Sequence, residues 1–271
     1  EMSEKLCEIS LASQLFEDKL VCGKNITSQE GHYHGLLSVD ICSLKDKNLK
    51  MNIVIDFDTP EDMGYWMIRA VGSQMVAVAH DYTGACSMRM IKLDFAKQTS
   101  TLQWKFDLTG DDENYAPLIS EAPIFHRQLV WMFYAHVGKC FIVGLRADSG
   151  EVIHKVEFLY GTQHKLEEFL DDWSSDIEEP LLSVICTPLF FYIMDHIVYF
   201  GLFNRVEYIL HLGAVATQTG QLIWRLDVKC SEDDDLGSHD YPAPPVSTNV
   251  CHPHIKAAML HSKGILFMWH D

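Results

Sequence analysis

Four segments of the chain end in the same way: a short apolar run, a turn, and then a strand-like pentapeptide centred on one large residue. The pentapeptides are Leu49-Lys50-Met51-Asn52-Ile53, Leu102-Gln103-Trp104-Lys105-Phe106, Val152-Ile153-His154-Lys155-Val156 and Leu222-Ile223-Trp224-Arg225-Leu226. Their central residues Met51, Trp104, His154 and Trp224 are 53, 50 and 70 positions apart. Further runs rich in β-branched and aromatic residues precede each one, bounded by Gly, Asp and Ser, as strands are. A unit of about fifty residues with four strands cannot bury its apolar faces alone, so its neighbours must stack on it.

That requirement predicts an all-β chain, a β-propeller of four-stranded blades with four blades and a half-blade visible. The strands of the first blade (7–58) fall at 9–16, 19–24, 35–43 and 49–57, and those of the second (65–108) at 66–71, 74–80, 86–95 and 101–108. The third (117–158) has them at 122–126, 128–135, 139–147 and 151–158, the fourth (183–228) at 183–192, 196–203, 208–217 and 221–228. A partial fifth unit (252–271) supplies runs at 255–260 and 264–269. These would be its first two strands, and nothing before Ile9 completes it, so the ring is expected to close only within a larger chain or assembly. The alternative is closure in which 264–269 pairs with 49–57. Between the third and fourth units, 161–180 breaks the strand pattern. There Leu166, Phe169, Leu170, Trp173 and Ile177 recur at helical spacing, which predicts a short acidic helical insertion and explains the 70-residue interval.

The turns before the last strands carry the register. Ala147-Asp148-Ser149-Gly150-Glu151 and Ala216-Thr217-Gln218-Thr219-Gly220-Gln221 place glycine where a tight hairpin needs positive φ. The second unit has Ala96-Lys97-Gln98-Thr99-Ser100 there without glycine, and the first has Lys45-Asp46-Lys47-Asn48. The stretch Thr217-Gln218-Thr219-Gly220-Gln221-Leu222-Ile223-Trp224 resembles the repeat of quinoprotein-like (PQQ-type) propellers, whose blades often end in Asp-x-x-Thr-Gly-x-x-x-Trp; 147–154 is similar to it. The resemblance implies a propeller in which Trp104 and Trp224 are blade-packing anchors, buried at equivalent positions. Catalytic quinoproteins hold their cofactor over calcium, and many carry a disulfide between adjacent cysteines. Here no two cysteines are adjacent and no calcium-binding carboxylate set matches, so the repeat reads as architecture without cofactor, as in non-catalytic relatives.

The balance of residues narrows the classes. In 271 residues, 48% hydrophobic and 11% aromatic content argue against disorder, and the apolar run 181–194 is broken by Pro188 and too short for a bilayer span. A net charge of −17 disfavours nucleic-acid backbones and anionic membranes as partners. Eight scattered cysteines read as buried free thiols of a reducing compartment, cytoplasm or nucleus, although the sequon Asn25-Ile26-Thr27 leaves a secretory lumen open. No signal peptide is expected from the first residues.

In a propeller, connections between blades emerge on the same face as the links between second and third strands. Every such connection here is acidic, and together they hold 18 of the 38 Asp and Glu residues. The candidate partner-binding residues are Asp111, Asp112 and Glu113, then Glu167, Glu168, Asp171, Asp172 and Trp173 of the insertion, then Asp233, Asp234 and Asp235. These could be solvated loops kept polar for solubility, or a docking face for a basic protein segment.

Signals for chemistry are weak. His32, His34, His80, His136, His252 and His254 lack the tight spacing of a zinc site, and Glu232–Asp235 lacks the alternation and glycine of a calcium loop. No Gly-x-Ser-x-Gly elbow, phosphate-binding loop or His-Glu-x-x-His motif is present. No catalytic, metal or cofactor site is therefore expected. The reading is a non-catalytic scaffold for protein–protein interaction. The alternative is a ligand- or cofactor-binding sensor, or a degenerate quinoprotein-type enzyme, using the channel mouth.

Overall fold

The computed structural model describes residues 13–16, 19–27, 33–46, 50–58, 63–81, 86–108, 118–119, 123–136, 138–162, 165, 186–229, 255–261 and 264–269. The first sheet comprises β1 (Ser13–Phe16), β2 (Lys19–Thr27), β3 (Tyr33–Ser43) and β4 (Lys50–Asp56), and the second β5 (Met63–Val71), β6 (Gln74–Asp81), β7 (Cys86–Asp94) and β8 (Thr99–Leu108). In the third, β9 (Leu118–Ile119) and β10 (Ile124–His126) precede β11 (Leu129–His136), β12 (Lys139–Arg146) and β13 (Val152–Leu159). The fourth holds β14 (Cys186–Met194), β15 (Ile197–Asn204), β16 (Ile209–Ala216) and β17 (Leu222–Lys229), and the hairpin β18 (Ile255–His261) with β19 (Gly264–Trp269) forms a two-stranded fifth.

Each four-strand path runs in chain order with antiparallel neighbours, the meander of a propeller blade. The expected first strand of the third unit comes in two pieces: β10 pairs with residues 129–131 and β9 with Tyr134 and Ala135. Strand β19 pairs with β18 and β4 with β3, in separate sheets. The helical reading of 161–180 lies outside the described residues apart from 161, 162 and 165.

Side-chain patterning explains why the sheets stack. Along β4 exposed and buried residues alternate, with Met51, Ile53 and Ile55 buried. They join Leu37, Val39 and Ile41 of β3 against Ile68, Met75 and Ala77 of the second sheet. On the next layer, Val76, Val78, Met88 and Met90 meet Val130, Met132, Val143 and Leu145 of the third sheet. Then Trp131, Phe133 and Ile142 meet Phe191, Val198, Phe200 and Leu202 of the fourth. The run Met75–Ala79 is buried throughout because odd residues face one neighbouring sheet and Val76 and Val78 the other. Each such large apolar side chain contributes about 1.5–3 kcal/mol on burial.

One charged group is buried between sheets. Arg89 of β7, 1% exposed, donates to Asp107 Oδ1 at 2.6 Å, to the Phe57 carbonyl at 2.6 Å and to Asp58 Oδ2 at 3.2 Å. Its Nε donates to the Asp56 carbonyl at 3.2 Å, so the guanidinium ties the end of β4 to the second sheet.

Candidate functional site

The acidic candidates Asp111, Asp112, Glu113, Glu167, Glu168, Asp171, Asp172, Trp173, Asp233, Asp234 and Asp235 lie outside the described residues. Asp58, at the mouth of the first acidic connection, is described, and it is committed internally. Lys105 bonds it at 2.8 Å and Arg89 at 3.2 Å. The Lys105 hydrogen bond and charge hold its carboxyl below the usual carboxylate range against desolvation, with a lesser contribution from Arg89.

Three of the four landmark residues occupy one register, whereas Met51 pairs with Ile41 in a strand without a bulge. In β8 a bulge leaves Gln103 between Trp104, opposite Met90, and Leu102, opposite Ile91. The same step leaves Ile153 behind His154 in β13, and Ile223 behind Trp224 in β17. A bulge bends its strand and re-aims the following side chain, here toward the next sheet. Trp104 reaches the turn between β12 and β13, where its indole N–H donates to the Ala147 carbonyl at 2.9 Å. Gly150, with φ +74°, lets the ring lie so close that a Cβ would come within 2.8 Å of it. His154 meets Gly220, with φ +67°, of the β16–β17 turn in the same way. In the second sheet Gln98 takes the corresponding positive φ without being glycine.

Trp224 breaks the series. It is 37% exposed where Trp104 is 8% exposed, so the expectation of equivalent burial holds for Trp104 and fails for Trp224. The residues that follow β17 in the chain, 230–254, lie outside the described residues. The outer-strand stripe is covered in the first three sheets: Met51, Ile53 and Ile55 are buried, Trp104 and Phe106 pack on the third sheet, and Val156 and Phe158 pack toward the fourth. In β17, Trp224, Leu226 and Val228 are all exposed. Registered opposite Ala214, Leu212 and Leu210, they share the fourth sheet's far face with a cluster of Phe190, Phe203, Leu210 and Leu212. The stripe is continuous with a buried cluster, since Phe190, Phe203, Leu210 and Leu212 are all 7% exposed or less.

A second set of residues converges at the turns between first and second and between third and fourth strands, on the end opposite the blade connections. There His126, Arg127, Arg146, His154 and His196 approach one another from the third and fourth sheets. The sequence reading placed His154 only as the landmark of its strand and passed over His126, Arg127, Arg146 and His196. These, the adjacent pair His126-Arg127 aside, are far apart in sequence and converge only through the stacking of two sheets. The signal it could have used is the pair of two-residue hairpin loops, Arg127-Gln128 and Asp195-His196, built without glycine. The histidines weighed from sequence are a different set: His32 and His252 lie outside the described residues, as does His254, and of His34, His80 and His136 only the backbone is described.

No family model and no curated protein matches the chain. Among solved structures, it is similar to a protein from Lactobacillus plantarum at 12% identity and TM-score 0.45, over 79% of this chain and 53% of that one. It is similar to a europium-containing methanol dehydrogenase at 12% identity and TM-score 0.36, over 63% and 28%. It is also similar to the WD40 domain of SCAP from fission yeast at 9% identity and TM-score 0.37, over 76% and 44%. The chain thus spans about half or less of the length of these proteins. The propeller fold of this chain rests on its own sheets: four antiparallel four-strand meanders, stacked in chain order.

Proposed function

We propose that this chain is a non-catalytic propeller scaffold whose fourth sheet receives a protein partner on its far face. The supporting observation is the exposure of Trp224 and Leu226 at a register position that the preceding sheets cover. The two complete junctions describe the occupant. It is a β-hairpin whose turn carries a positive-φ glycine against the Trp224 ring and a carbonyl for its indole N–H, with apolar residues along the strand that follows. The near face of the first sheet does not have this character. Asp40, Ser38 and Asn52 share it and bond to one another through the Asn52 amide, so a second copy stacking head to tail would bury polar groups. The occupant is therefore a hairpin of a different sequence, not the first sheet of another copy, and it adds the outer strands that the two-stranded sheet β18–β19 lacks among the described residues. The acidic connections add long-range attraction for a basic segment of the same partner.

The test is the native mass of the complex recovered from the protein's own cells. Trp224→Arg with Leu226→Asp is expected to reduce it to that of the uncomplexed protein, with a melting transition that is lowered but still cooperative, because Trp224 is 37% and Leu226 52% exposed. An unchanged native mass contradicts the proposal.

A further inference from the structure

A cleft of about 380 Å³ opens between the turns of the third and fourth sheets, at the end of the molecule away from the acidic connections. Its polar lining includes His126, Arg127, Arg146, His154 and Thr217, over an apolar floor of Leu129 and Ile153. Among the described residues no carboxylate lines it, in a chain of net charge −17. The nearest acids belong to the turns: Glu151 pairs with Arg146 at 3.5 Å with both side chains about half exposed or more, and Asp148 and Asp195 are exposed.

Two features show that these side chains are held rather than scattered. Arg127, Asp195 and His196 have φ of +57°, +48° and +65°, left-handed conformations that side-chain-bearing residues adopt at a cost. All three lie in the two-residue hairpin loops Arg127-Gln128 and Asp195-His196, whose tight turns use positive φ, so turn geometry holds these residues at the cleft. The second feature is an ordered chain of donors. Arg127 Nη2 lies 3.1 Å from His196 Nε2, and His196 Nδ1 lies 3.1 Å from His126 Nε2. A guanidinium only donates, so His196 accepts at Nε2 and holds its proton on Nδ1. That proton is donated to His126 Nε2, which leaves His126 with its own proton on Nδ1. Burial, His196 and Arg127 keep the His126 imidazole below its ordinary titration range, and burial does the same for His154.

We infer that this cleft is a binding site for a phosphate monoester carried on a small apolar body. Arg127 and Arg146 supply planar, charged donors that match phosphate oxygens and His126 a neutral one, while Thr217, whose hydroxyl donates to the His196 carbonyl at 2.8 Å, holds the wall of the cleft. Leu129 and Ile153 take the apolar body, and the volume falls in the range of small-molecule sites. The dianion would provide countercharge for the Arg127 and Arg146 guanidinium groups. His126 is faced by Arg127 from its own turn and His196 from the β14–β15 turn, while His154, Arg146 and Glu151 stand on the elements beside it. Protonation of His126 at Nε2 would displace the His196 proton donated to it, and a phosphate monoester loses its second charge at about pH 6, so binding is expected to be tightest above about pH 7 and to weaken as pH falls toward about 6.

The experiment is calorimetric titration of the 271-residue protein with phenyl phosphate, inorganic phosphate and benzoate, each at several pH values. Phenyl phosphate is expected to bind about tenfold more tightly than either of the others, since only it fills both halves of the site. Arg127→Gln and Arg146→Gln are each expected to weaken it about tenfold or more, and Glu151→Gln, which frees Arg146, to strengthen it. Melting curves confirm that the variants fold. Equal affinity for the folded double variant Arg127→Gln/Arg146→Gln, no preference for phenyl phosphate over benzoate, or no detectable binding at millimolar concentrations overturns the inference.

Discussion

Trp104 donates its indole N–H across a sheet boundary to the carbonyl of Ala147 at 2.9 Å, while its ring lies against the backbone of Gly150. One side chain thereby fixes both the spacing and the register of two successive sheets. The relationship recurs, without an indole, between His154 and Gly220.

The glycine partners should be separable into backbone and packing parts. Gly150→Ala places a methyl both at positive φ and within 2.8 Å of the Trp104 ring, whereas a Cβ on Gly72, at φ +60°, meets nothing within 4 Å. Gly72→Ala is expected to destabilise by about 1 kcal/mol through strain alone, and Gly150→Ala by about 1–3 kcal/mol more through overpacking. Urea unfolding of the two variants measures the difference. Equal losses would mean that the ring does not depend on the glycine.

The tryptophans should be unequal. Trp104→Ala removes a side chain only 8% exposed together with its hydrogen bond, and is expected to cost about 3–5 kcal/mol. Trp224→Ala, at 37% exposure, is expected to cost less than half of that in the isolated chain. Thermal or chemical denaturation compares them directly.

Much of this was legible in the sequence. The four strand sets, their meander order, and the glycines at 150 and 220 follow from β-branched runs and turn chemistry. Trp104 and Trp224 were correctly placed at one register position, yet their environments differ, because burial depends on what stacks next and not on the strand itself. The bulges at Gln103, Ile153 and Ile223 could not be read, since a bulge is a property of two paired strands. The cleft was missed for a related reason. His126 and His196 are 70 positions apart and meet only when the third and fourth sheets pack. The turn of the second sheet lacked its glycine because Gln98 accepts φ +54° instead.

Arg89 should be intolerant of truncation. Its guanidinium is 1% exposed and satisfied by Asp107, Asp58 and three carbonyls, so Arg89→Ala breaks the tie between the first two sheets. Removal of one partner of such a network is expected to destabilise by about 3–5 kcal/mol, less in so far as Asp107 and Asp58 are rehydrated. Equilibrium unfolding checks the figure.

Acid should weaken the same junction. The Lys105 hydrogen bond and charge, with Arg89, lower the Asp58 pKa from its ordinary 3.8. A group lower in the folded than in the unfolded state contributes its stability above the unfolded value and loses it as pH falls through the folded one. The contribution is therefore intact at pH 5 and above and declines below about 3.8. Asp58→Asn is expected to flatten the stability profile in that acid window and to leave its slope near neutrality unchanged. A profile identical to that of the natural protein would remove Asp58 from the account.

The acidic connections should act through rate. Reversal of Asp233, Asp234 and Asp235 to lysine is expected to slow association with the native partner more than it speeds dissociation. Rising salt should slow the unaltered protein similarly, since screening beyond about 8 Å at physiological salt removes long-range attraction and spares contact packing. Stopped-flow or surface-binding kinetics separate the two rates. An unchanged association rate would mean that these loops are solvated and no more.

The central claim, that the far face of the fourth sheet is a partner's seat, is tested most directly by hydroxyl-radical footprinting of Trp224 and Leu226 in the isolated chain and in the native assembly. The account predicts oxidation of both in the isolated chain, protection of both in the assembly, and protection of Trp104 in each. Equal oxidation of Trp224 in the two samples would contradict it.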